Sequence, residues 1–108
     1  MTLETKSLQL NAVATGTGTA VDLGGVMRSL RAYATFAADV SAGVVTIEEA
    51  PSTSYAGTWA PIGTLSFVNG GCATLAQAAG GVLAVRARIT TTISGGASPT
   101  VTVVIVAV

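Results

Sequence analysis

The chain has 108 residues, the size of one domain, with no histidine, five basic and five acidic side chains, and a formal net charge of zero. Half of it is hydrophobic and only 9% is charged, while alanine, valine, threonine and glycine supply more than half of all positions. A coiled coil or Lys/Glu-rich bundle needs far more charge. A disordered chain needs less hydrophobicity and more net charge. A nucleic-acid binder working by phosphate neutralisation needs a basic excess.

From the N-terminus, Met1–Lys6 carries both charge signs and no long apolar run follows, so no signal peptide is expected. Residues 1–6 read as a short arm and 7–108 as one domain. Ser7–Val13 reads as a first strand with Leu8 and Leu10 inward. Glycine-rich turn signals follow at Gly16–Gly18 and Gly24-Gly25. In Ser29–Ala38, Leu30, Ala32, Ala34 and Phe36 alternate with Arg31, Tyr33 and Thr35, the period of a half-buried strand. Ser41–Gly43 reads as a turn, and Gly43–Glu49 as a strand with Val45 and Ile47 inward.

Pro51–Gly57 reads as a loop. Trp59–Phe67 and Cys72–Ala78 then read as strands joined through Asn69-Gly70, a strong hairpin signal. Gly80-Gly81 marks another turn. Val82–Ile93 puts Leu83, Val85, Ala87, Ile89 and Ile93 on one face, with Arg86, Arg88, Thr90 and Thr92 on the other. Ser94–Pro99 is a turn before the last strand, Thr100–Val108. Short β-rich runs at this spacing predict an all-β chain, an antiparallel sandwich of Ig-like or jelly-roll-like type with about seven or eight strands. The longest apolar run has six residues against the roughly twenty of a membrane-spanning helix.

The last strand departs from alternation, because Val104, Val106 and Val108 make its second face apolar too. An uncharged strand with two apolar faces is an aggregation template unless covered. Val101, Val103, Val104, Ile105, Val106 and Val108 are therefore the candidates for self-association. Arg86 and Arg88 share one strand face, where they either pair Glu48 across a sheet or meet acidic groups of a partner. Glu48 and Glu49 are neighbours on a strand, point to opposite faces, and read as solvent-facing or interface charges closing a strand rather than as a catalytic pair. Cys72 has no disulfide partner in the chain and reads as a small hydrophobe in or beside a strand. Gly16-Thr17-Gly18 is no complete phosphate loop. No nucleophile–base pair stands out, so no enzyme, cofactor or metal is expected.

Residues 40–103 resemble small β-sandwich virion proteins of tailed bacteriophages. The phrases are Gly43-Val44-Val45-Thr46-Ile47-Glu48, the loop Tyr55-Ala56-Gly57-Thr58-Trp59 with its following Ile62-Gly63-Thr64, the strand Val85-Arg86-Ala87-Arg88-Ile89-Thr90, and the closing stretch from Gly95-Gly96 to Val103. The resemblance is greatest to capsid decoration (cement) proteins. It implies a structural role on the capsid exterior of a virion assembled in the host cytoplasm. The implied partners are the major capsid protein and copies of the chain itself, commonly as trimers, with neither nucleic acid nor membrane. Leu3, Lys6, Arg28, Arg31, Arg86 and Arg88 are the candidate capsid contacts. The competing readings are a tail or head-fibre module, and a carbohydrate-binding sandwich that stacks sugars on Tyr55 and Trp59.

Overall fold

The computed structural model describes residues 4–12, 16–17, 20–22, 30–69, 72–77, 84–96 and 99–107. Every regular element in them is a strand: β1 (Glu4–Ala12), β2 (Gly16–Thr17), β3 (Val21–Asp22), β4 (Leu30–Phe36), β5 (Val40–Ala50), β6 (Ala60–Ser66), β7 (Cys72–Gln77), β8 (Ala84–Gly95) and β9 (Val101–Ala107). Six of these build two three-stranded antiparallel sheets, β9-β4-β7 and β8-β5-β6. Seven or eight strands were expected; six make up these two sheets, and β1 is a further strand of nine residues. β1 adds to the free edge of β9, and the two-residue segments β2 and β3 lie along β8.

The alternating strands face as their periodicity predicts. Leu30, Ala32, Ala34 and Phe36 of β4 are buried, as are Val45 and Ile47 of β5 and Val85, Ala87, Ile89 and Ile93 of β8. They join Leu65, Ala73, Val101, Val103 and Ile105 in one core drawn from both sheets. Alanines at four of these positions let the sheets approach closely, and the molecule is a slab 17 Å thick along its shortest axis. At one end Phe36 meets Phe67 edge to face, with ring centroids 5.5 Å apart, the geometry that aromatic quadrupoles favour. At the sheet edges, Gly63 of β6 leaves the space that Leu75 of β7 fills from the opposite sheet.

Three local expectations are corrected. β6 and β7 do not form a hairpin: β6 pairs with β5, and β7 pairs with β4 in the other sheet. The chain crosses between layers here, and tertiary pairing overrides the local turn signal (Gly70 and Gly71 lie outside the described residues). Ser41–Gly43 is not a turn but part of β5. Gly43, at φ 155°, lies against Ile93, and a Cβ there would collide with that side chain. Gly16–Thr17, read as a turn, instead pairs with Ile89 and Arg88. The turn signals Gly24-Gly25 and Gly80-Gly81, and Leu83, lie outside the described residues.

The first strand starts at Glu4 rather than Ser7, because Glu4, Thr5 and Lys6 pair with Ala107, Val106 and Ile105 at the far end of the chain. β8 carries a bulge: Val45 opposes Ile89 and Val44 opposes Thr91, so Thr90 is the extra residue. The Thr90 hydroxyl donates to the Val44 carbonyl at 3.4 Å and lies 3.2 Å from Thr46 Oγ1. This slip leaves Thr91 exposed although its parity matches the inward residues.

Candidate functional site

The outer face of the β8-β5-β6 sheet carries a compact charged cluster. Glu48 of β5 lies directly opposite Arg86 of β8, and Arg88 is its diagonal neighbour, within the reach of long side chains on one sheet face. Arg86 Nε donates to Glu48 Oε1 at 2.9 Å, and Arg88 Nε donates to Oε2 at 3.1 Å. Both carboxylate oxygens are thereby engaged. Glu48 is only 3% exposed, whereas the Arg86 and Arg88 side chains are 23% and 45% exposed.

The cover comes from the loop between β5 and β6. Trp59, the single tryptophan of the chain, folds back over the sheet and is buried. Its indole N–H donates to the Tyr55 carbonyl at 3.1 Å, and its ring lies 4.3 Å from the Arg86 guanidinium carbon, a cation–π stack. Beneath the loop, Ile62 is the extra residue of a bulge, since Ile47 opposes Gly63 while Glu48 opposes Pro61. Proline is tolerated there because β6 is an edge strand. The result is an open depression of about 400 Å³ lined by Glu48, Gly57, Thr58, Trp59, Pro61, Arg86 and Arg88.

The cluster bears on several sequence expectations. Of the two roles weighed for Arg86 and Arg88, the cross-sheet pairing with Glu48 is present. Glu48 is not a solvent-facing charge, because the Trp59 loop and the two arginines cover it. Trp59 is not an open platform for a sugar: it is 4% exposed and stacked on Arg86, although Tyr55 remains 41% exposed. Cys72 does lie in a strand, at the start of β7, but it is exposed rather than packed as a hydrophobe.

The remaining candidates are scattered. Arg31 is exposed on the outer face of the other sheet, in register with Val106 and Ala76. Lys6 is placed only as a β1 position opposite Ile105. Leu3, Arg28 and Val108 lie outside the described residues. The six self-association candidates divide by face. Val101, Val103 and Ile105 are fully buried in the core of the single chain, so they are not available to another copy. Val104 and Val106 point outward and are half-buried, with Val104 opposite Tyr33.

Sequence reasoning missed the joint burial of Glu48 and Trp59. Their shared phrases were visible, but the fold-back of a nine-residue loop onto the neighbouring strand has no periodic signature.

Among the described residues no helix is long and apolar enough to cross a membrane. No family profile and no curated protein matches the chain. Among solved structures, the chain is similar to the SPBc2 prophage-derived protein YomS, with a TM-score of 0.67 and 12% identity over 98% of this chain and 92% of that one. At that identity the likeness speaks for a common fold.

Proposed function

We propose that this protein is a non-enzymatic structural component of a tailed-phage virion, a capsid decoration protein that binds the outer shell, associates with copies of itself and stabilises the capsid. The observation that carries the reading is the fold it has in common, over nearly its whole length, with a prophage-derived protein. The virion-protein phrases in residues 40–103 support it further. So does the outer face of the β9-β4-β7 sheet, where Val104 and Val106 sit among Tyr33, Thr35 and Thr102, and Arg31 brings a lone charge among the described side chains of β4 and β9.

The physical logic is cooperative burial. Apolar surface covered by neighbours contributes roughly 25 cal/mol per Å² before ordering costs, and a shell repeats that contribution at every copy. The test is native mass measurement together with co-sedimentation on expanded phage heads that lack the protein. An oligomer that binds heads and raises their resistance to heat supports the reading. A monomer with no affinity for heads overturns it, and binding to isolated tails or head fibres moves the protein to those structures instead.

A further inference from the structure

We propose that the depression beside Trp59 is a carboxylate-binding site, built to accept one acidic side chain or chain-end carboxylate of a partner protein. Two guanidiniums and one carboxylate line it, so one positive charge is left without a counter-charge in the lining. Each arginine meets Glu48 through Nε, so these two bonds do not use the terminal nitrogens of the forks. A guanidinium has five N–H donors in a fixed plane and binds carboxylates with two at once.

The forks are also held in place before any ligand arrives. Glu48 anchors both by a charge-assisted bond, and the Trp59 ring lies against the Arg86 guanidinium. Fixing a rotamer-rich side chain in advance removes an ordering cost that binding otherwise carries. Glu48 thus serves the site as a positioning residue, and its charge sets the ligand class. A monoanion balances the charges of this lining. A phosphate dianion meets the same pair of arginines with the buried Glu48 carboxylate directly behind them, and gains little from its second charge.

The site stands on its own geometry, whatever surface the protein occupies, and small carboxylates read it without any virion. Trp59 is the only tryptophan and stacks on a member of the site, so its emission is the probe. The purified full chain is titrated with N-acetyl-aspartate amide, and separately with inorganic phosphate, at ionic strength held constant with chloride. A saturable change with the carboxylate is expected, with phosphate binding no more tightly. Arg88→Gln leaves Arg86 on Glu48 and is expected to keep the thermal midpoint while weakening carboxylate binding about tenfold or more. Arg31→Gln, on the opposite sheet, leaves binding unchanged. Absence of a saturable change, an equal response to added chloride, unaltered binding in Arg88→Gln, or phosphate binding much more tightly than the carboxylate would each overturn the assignment.

Discussion

Glu48 and Gly95 show how much of this fold rests on single positions. A buried carboxylate is costly unless its oxygens are engaged, and Glu48 has both engaged by arginines that are themselves partly hydrated. Removing the carboxylate strands a half-buried Arg86, while removing Arg88 takes away the more exposed partner and leaves one ion pair intact. Glu48→Ala is therefore expected to lower unfolding free energy by about 2–3 kcal/mol, and Arg88→Ala by less than about 1 kcal/mol. Urea unfolding followed by Trp59 emission measures both, and equal losses would contradict the burial asymmetry. At Gly95, φ is 157° and a Cβ would overlap the Asp39 carbonyl oxygen, which already accepts the Gly96 N–H at 2.8 Å. Gly95→Ala is expected to cost about 1–3 kcal/mol in the same assay.

At the scale of elements, legibility follows the number of faces that each strand buries locally. β4 and β8 are readable because their inward residues alternate with arginines, threonines and Tyr33, and the faces fall out without knowledge of any partner. β6 and β7 were equally readable as strands, yet not as members of different sheets, because partner choice is a non-local property. β2 and β3 carry too few residues for any period to register. β9 is the instructive case. Its two apolar faces were visible, but only the structure separates Val101, Val103 and Ile105, which fill the core, from Val104 and Val106, which look outward. Val103→Lys is expected to prevent folding, since an unpaired ammonium would sit in the core. The pair Val104→Lys and Val106→Lys is expected to fold, with the lysine stems lying along the sheet, and, on the proposal that copies associate through this face, to run as one chain by light scattering. A parent that is multimeric and a folded double variant of the same mass would remove β9 from the proposed self-association surface.

For the molecule as a whole, nearly every contact joins residues far apart in sequence. β5 pairs with β8, β4 with β9, and β1 with β9. Loop closure must precede the reward of such pairings, so sandwich-like chains fold slowly for their size. Refolding from urea, read by stopped-flow emission of Trp59, is expected on the scale of about milliseconds to seconds; a microsecond phase carrying the full amplitude would mean that local structure dominates after all. The few charges of this electrically neutral chain are unevenly placed. Three of the ten charged side chains gather in one cluster, Glu48, Arg86 and Arg88, and the outer face of the other sheet is nearly bare of charge among its described side chains.

The pairing of β1 with β9 has a topological corollary. Glu4 stands opposite Ala107, and opposed Cα atoms of an antiparallel pair are about 5 Å apart, so the fold meets itself where its outermost strands begin and end. A linker of a few residues would span from Ala107 back to Glu4, and the exposed stretch 51–58 offers a place to cut the chain. Such a circular permutant keeps every strand neighbour while turning the most distant pairing in the chain into a hairpin, and new termini would then emerge beside the Trp59 depression.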